Sequence, residues 1–230
     1  MKKLALLATA AIALTAASSA NAAITVSAAV ADDLFGTSAT FAASGQTMLW
    51  DFDSIADPNV TFVGNEITTT PDPITSSAPP PYSGGVIVGG SPVPVDPTDY
   101  ASVQGGQTAT FSTLAGTFKS FSFYLGSPDT YNRVTFNFNG GGSQVFQGAE
   151  IWGGFPPGNG DRSLGYRVFY DFGGAQVSSI TFQSSQNAFE FDGLAGAIPE
   201  PATWAMMILG FGAAGTVLRT NRRRLASVAA

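Results

Sequence analysis

From Thr47 to Leu194 the large apolar residues recur at every second position in short runs, and no stretch repeats at helical spacing. Met48, Trp50 and Phe52 alternate with Leu49, Asp51 and Asp53, and Val60 and Phe62 flank Thr61. Phe121, Phe123 and Leu125 share a face, as do Val134, Phe136 and Phe138, then Tyr166, Val168, Tyr170 and Phe172, and finally Phe189 and Phe191. Strict alternation marks a strand with one buried face. Asn139-Gly140-Gly141-Gly142, Gly173-Gly174 and residues 184–187 separate the runs with turn chemistry. About ten short strands so punctuated predict an all-β fold, an antiparallel two-sheet sandwich of jelly-roll type. The 18 Phe supply its core.

The sandwich is expected over residues 47–198. Eight of the 14 Pro fall in 71–99. Proline cannot donate to a strand ladder, so this is a long surface loop with an edge strand at Val86 to Val88. Residues 153–163, rich in Gly and Pro, make a second loop. The Ala/Ser/Thr-rich segment 23–46 has few large apolar residues and reads as a loose strand or a mobile lead-in.

Both ends carry addresses. Met1-Lys2-Lys3, the apolar run Leu4 to Leu14 and Ala20-Asn21-Ala22 have the order of a secretory signal peptide, 1–22, cleaved between Ala22 and Ala23. Such a leader implies the Sec translocon and signal peptidase as partners. At the other end, Ala202 to Leu218 is apolar without a polar face and is followed by Arg219, Arg222, Arg223 and Arg224. That predicts a single membrane helix over 202–218, with the arginines cytoplasmic and the domain before Pro199 outside.

Pro199-Glu200-Pro201, then Trp204-Ala205-Met206, then Gly210-Phe211-Gly212 and the Arg cluster resemble the PEP-CTERM sorting signal in its PEPxxWA form. The resemblance covers 199–230. It implies a Gram-negative bacterium, transient residence in the inner membrane, recognition and cleavage by exosortase, and a final place at the cell surface with exopolysaccharide. Thr220-Asn221 interrupts the basic run, and residues 225–230 extend past it.

Composition excludes several chemistries. The chain has no Cys and no His, which removes thiol catalysis, disulfides, Ser-His and Cys-His pairs and the usual zinc sites. Residues 23–198 hold four basic side chains, Lys119, Arg133, Arg162 and Arg167, against fifteen acidic ones, a net charge of −11. Such a surface repels nucleic acid and suits calcium, cationic partners or neutral polymers.

Three candidate sites follow. Asp51 and Asp53 open the strand region, and Glu190 and Asp192 close it. Acids at i and i+2 project from one strand face, and first and last strands of a sandwich are often neighbours. Four carboxylates so gathered would take a calcium ion; the alternative is that the pairs never meet. Residues 126–132 supply Asp129, Tyr131 and Asn132 at the sandwich rim for a sugar or cation, or form an Asx-type turn. Trp152, with Tyr131 and Tyr166, would stack on sugar rings if exposed. The run Leu125 to Asn132 and the closing Ala188-Phe189-Glu190-Phe191-Asp192 resemble exported domains fused to this sorting tail, and sugar-binding jelly rolls generally; this implies a fold and no ligand. Paired carboxylates among Glu150, Asp161, Glu190 and Asp192 could hydrolyse a glycoside, but no motif assigns them roles. The expected function is a non-catalytic surface protein that binds exopolysaccharide. A structural or adhesive matrix component is the alternative, and a carboxylate glycosidase the second.

Overall fold

A computed structural model describes residues 23–30, 34–69, 77–80, 87–88, 91–92, 96–126, 128–154, 158–161, 165–199, 207–216 and 219. The expected signal peptide, most of the proline-rich loop, and Glu200 to Met206 and Arg222 to Arg224 of the sorting motif lie outside these residues.

The strands are β1 (Thr25–Val30), β2 (Thr47–Trp50), β3 (Val60–Gly64), β4 (Glu66–Thr69), β5 (Ile87–Val88), β6 (Ser91–Pro92) and β7 (Tyr100–Val103). There follow β8 (Thr108–Thr113), β9 (Ser120–Leu125), β10 (Asn132–Phe138), β11 (Ser143–Gln147), β12 (Tyr166–Asp171), β13 (Val177–Ser184) and β14 (Phe189–Ala197). One sheet runs β1-β12-β9-β14-β7-β4, with β2 also on β14; the other runs β11-β10-β13-β8-β3; β5 and β6 form a ribbon of their own. All pairings between these named strands are antiparallel. From β7 onward the chain changes sheet at every step except the β10–β11 hairpin, which is the habit of a jelly roll. That hairpin turns on Gly140 to Gly142, all at positive φ, where a side chain would strain the backbone.

In β2 the alternation came out otherwise than expected, with Leu49 buried, Met48 and Trp50 half-buried and Phe52 beyond the strand end; in β9, β10 and β14 it has the expected consequence. Phe121, Phe123 and Leu125 of β9, Val134 and Phe136 of β10, and Phe189 and Phe191 of β14 all join one core. Across the two sheets, Phe182 of β13 stacks on Phe191 of β14 at 4.1 Å, and Phe136 of β10 meets Tyr170 of β12 at 4.6 Å. Each buried ring contributes about 1.5–3 kcal/mol by transfer alone. The outer face of the second sheet is polar instead: Thr110 and Thr181 share a hydrogen bond, and Asn137 donates to Ser179 and Thr181.

Residues 23–46 are more structured than the sequence indicates. Thr25–Val30 adds an edge strand on β12. Ala39–Ser44 forms a short helix, α1, capped by the Ser38 hydroxyl accepting from Phe41 N and ended by Gly45 at positive φ. Small residues form an edge strand here because the ladder to β12 supplies what side-chain pattern does not. After β11 the chain does not continue as a strand: Gly148–Trp152 is a 3-10 turn. It carries its own capping box, with Gln147 N donating to Glu150 Oε2. Residues 207–216 are helical, within the expected span 202–218. Among the described residues no helix is long and apolar enough to cross a membrane.

The N-terminal half of β14 pairs with β7 through Phe189, Glu190 and Phe191, and its C-terminal half pairs with β2 through Leu194, Ala195 and Gly196. Asp192 and Gly193 stand at the handover, where the register shifts. The end of β2 and the start of β7 therefore face each other across a gap in the sheet. Gly193 has φ +54, and a Cβ there would come within 2.6 Å of Leu34 O. The buried Arg167 guanidinium fixes its carbonyl, donating from Nη2 at 2.5 Å, while Nε donates to Ser122 and Phe41 of α1 covers the cation at 4.8 Å.

Candidate functional site

Three chain segments meet at the gap. β2 leaves it through Asp51 to Asp53, β7 enters it from Asp96 to Asp99, and β14 crosses it at Asp192. The first segment is a tight turn: Asp51 Oδ1 accepts N–H groups from Asp53 (3.1 Å), Ser54 (2.9 Å) and Ile55 (2.6 Å), and Asp51 N donates to Ile55 O. This turn forces Phe52 to φ +62, where it stands alone among the non-glycine residues described. A bulky residue in that region costs about 1–3 kcal/mol and persists only where its surroundings hold it. Here the ring is held edge-on by Phe62 at 5.0 Å, Phe191 at 6.0 Å and Trp50 at 6.5 Å.

The turn opens a cleft of about 200 Å³ lined by Trp50, Phe52, Phe62, Ile55, Asp53 and Ser54. Trp50, Phe52 and Phe62 are each half-buried, and Asp53 and Ser54 are exposed at the mouth. The cleft thus combines ring surface with oxygen acceptors at its mouth.

Behind Asp53 the acids go under. Asp96 is 0% exposed and Asp192 1%. Thr98 ties them together: its N and Oγ1 donate to Asp96 Oδ1 at 2.9 and 2.5 Å, and Oγ1 lies 3.2 Å from Asp192 Oδ2. Asp53 Oδ1 accepts from Asp99 N at 3.1 Å, and Asp192 Oδ1 accepts from Gly193 N at 2.5 Å. The remaining oxygen of Asp96, Oδ2, is buried without a hydrogen-bond partner. Burial raises the Asp53, Asp96 and Asp192 carboxyls, Asp192 well above its ordinary range and Asp96 to about 6; the charges of Asp96 and Asp53 add to the rise at Asp192, those of Asp53 and Asp99 to the rise at Asp96, and those of Asp99 and Asp51 to the rise at Asp53. Among the described residues no three acidic side chains are already gathered as a metal cage.

The four acids expected to form a calcium clamp are distributed as follows. Asp53 and Asp192 come together electrostatically across the gap, and the first and last strands of the region, β2 and β14, are neighbours. Asp51 spends one oxygen on its own turn. Glu190 is buried under residue 78, whose N–H it accepts at 3.2 Å. Asp96, which sequence reading passed over, is the fully buried member. It lies at the end of a proline-rich stretch, and only its spacing before the short strand β7 marks it.

The second candidate loop is turned inward. Asn132 is buried and accepts from Ser184 Oγ, Asp129 is buried, and the half-buried Tyr131 donates its hydroxyl to Asn187 O. Trp152 is 2% and Tyr166 3% exposed, both within the core. Neither offers a ring face to a sugar; the 3-10 turn, in place of a strand, folds Trp152 inward. Of the acids weighed for hydrolysis, Glu150 is engaged in its capping box, and Glu190 and Asp192 lie on β14. A second concavity, about 490 Å³, lies along Val26, Gln144, Val145, Phe146, Ala149 and Gly153. It is shallow and apolar, and its one ring, Phe146, is packed edge-on against Phe136.

Residues 197–224 match the family described as the PEP-CTERM protein-sorting motif. The chain therefore ends in that sorting signal, and handling by an exosortase follows from it. No curated protein matches the chain in sequence. Two solved structures, both mutants of the CBM29-2 module described under ligand recognition by family 29 carbohydrate-binding modules, are similar to it. One has TM-score 0.35 and 12% identity over 66% of this chain and 91% of its own; the other has TM-score 0.36 and 12% identity over 68% and 98%. At those scores the likeness says nothing of a ligand here.

Proposed function

We propose that this is an exported, exosortase-processed surface protein whose β-sandwich binds a neutral polysaccharide of the producing cell, and that the cleft of Trp50, Phe52 and Phe62 is where it binds. The observation that carries the reading is the cleft itself: half-buried rings beside exposed Asp53 and Ser54 oxygens. Sugar rings present apolar C–H faces to aromatic surfaces and hydroxyls to carboxylates, so this combination of lining groups suits them. Phe52 is held at a strained backbone angle that places its ring in the cleft, and strain of this kind gathers at ligand clamps. The net charge of −11 over 23–198 favours a neutral polymer over an anionic one. The leader and the sorting motif would bring the domain to the outer surface, where such a polymer is found. No step of catalysis is assigned.

The test is co-sedimentation of the purified chain with the cell's own exopolysaccharide and with a polyanionic one. Saturable binding to the neutral polymer supports the reading. Binding to neither would favour a matrix component that acts by attachment and copy number.

A further inference from the structure

The cleft of Trp50, Phe52 and Phe62 is built from a short piece of chain. Six of its seven lining residues fall between Trp50 and Ala56, and the seventh is Phe62 of the edge strand β3. The segment folds back on itself. Trp50 and Ala56 form an antiparallel bridge, Asp57 N donates to Leu49 O at 2.8 Å, and Asp51 N donates to Ile55 O at 3.1 Å. Asp51 Oδ1 closes the loop by accepting the N–H groups of Asp53, Ser54 and Ile55. The site is therefore one closed loop set against one strand residue, and not a groove that crosses several strands.

Its size agrees. A cleft of about 200 Å³ is smaller than the ~300–1,000 Å³ of pockets that hold a drug-sized ligand. The three ring centroids form a triangle with sides of 5.0, 6.2 and 6.5 Å, so the rings make one patch and not a row of separate platforms. The rings next in contact, Phe111 at 6.4 Å from Phe62 and Phe191 at 6.0 Å from Phe52, are fully buried. Beyond Phe62 the strand continues into Val63 and Gly64, which carry no ring. The acceptor is as local as the patch: Asp53 Oδ1 accepts from Asp99 N at 3.1 Å, which fixes the carboxylate at the mouth.

We propose that the cleft takes a single sugar ring of the polymer, laid on the Trp50–Phe52–Phe62 patch with a hydroxyl donating to Asp53, and that the units on either side add no contact that contributes to affinity. This rests on the reading of the cleft as the sugar site and adds the length of polymer it recognises. One such contact is weak, so firm attachment comes from several copies of the chain engaging one polymer at once.

The experiment uses the purified full chain and the producing cell's neutral exopolysaccharide, cut by mild acid and sorted by length into monosaccharides, trisaccharides and hexasaccharides. Each fraction is titrated by calorimetry and also used to compete with the intact polymer. The monosaccharides are expected to displace the polymer. Affinity is expected to rise from monosaccharide to hexasaccharide by no more than about sixfold, the number of rings on offer. Asp53→Ala is expected to weaken monosaccharide and hexasaccharide binding by the same factor. Val63→Ser, at the exposed position beside Phe62, is expected to leave both unchanged. Polymer binding that monosaccharides do not displace, with affinity climbing about tenfold or more from monosaccharide to hexasaccharide, overturns this inference while the cleft stands as a polymer site. Loss of hexasaccharide but not monosaccharide binding in Val63→Ser also overturns it. Failure of the polymer and of every fraction to bind removes the reading of the cleft as well.

Discussion

Burial lifts the Asp96 carboxyl from 3.8 to about 6 and Asp192 further in the same direction. Their folded-state affinity for a proton therefore exceeds that of the unfolded chain. For Asp96 the folded protein binds the extra proton between about pH 4 and 6, and for Asp192 to higher pH, so the stability these groups contribute is complete below the unfolded value and is lost as pH rises through the folded one. From Asp96 alone the unfolding free energy is expected to fall by on the order of 1–3 kcal/mol between pH 4 and 7. Asp96→Asn should flatten that fall and make the chain more stable than the parent at pH 7. Urea unfolding at several pH values checks both; an unchanged slope in the variant would contradict the assignment. Gly193 sets a second residue-scale constraint. Its positive φ and the nearby Leu34 carbonyl leave no room for a methyl group, so Gly193→Ala should destabilise by about 2 kcal/mol or more, read as a lower denaturant midpoint.

Strands were legible where alternation and aromatic content agree. β9, β10 and β14 lie where Phe recurs every second residue, because each of those rings packs in or against the core. Thr25–Val30 was legible only as one of two alternatives, a loose strand or a mobile lead-in, since an edge strand of Thr, Val, Ser and Ala is held by its backbone ladder to β12 and shows no large apolar alternation. The inward turn of Trp152 was not legible, because the capping box that rolls the chain at Gly148–Trp152 depends on Gln147 and Glu150 acting together. At the site, the convergence of β2 and β14 followed from the order of strands, whereas Asp96 entered only through the three-dimensional meeting at the gap. The inter-sheet pair of β13 and β14 gives a direct test of the packing. Phe182 stacks on Phe191 and also touches Phe121, Phe123 and Phe189. Phe182→Ala should cost about 3–5 kcal/mol, enough to remove most of the stability of an ordinary domain; a loss below 1 kcal/mol by chemical denaturation would contradict this core.

For the whole molecule, the C-terminal motif and the sandwich make separate statements. The motif directs sorting, so replacing Pro199-Glu200-Pro201 by alanines should leave the chain uncleaved and held with the membrane fraction, seen by immunoblot as a larger species. The sandwich should be untouched by that change, since the motif follows β14 and Pro199 is exposed. What the sandwich binds turns on the cleft. The most direct measurement is the binding isotherm of the purified chain on the cell's own neutral exopolysaccharide, run beside Trp50→Ala and Asp53→Ala and beside a Tyr131→Ala control remote from the cleft. The account predicts saturable binding by the parent and the control, weakened at least about tenfold, or ~1.4 kcal/mol, by each cleft substitution. Equal binding by all four would place the contact elsewhere on the sandwich and contradict the role given to Trp50, Phe52 and Phe62.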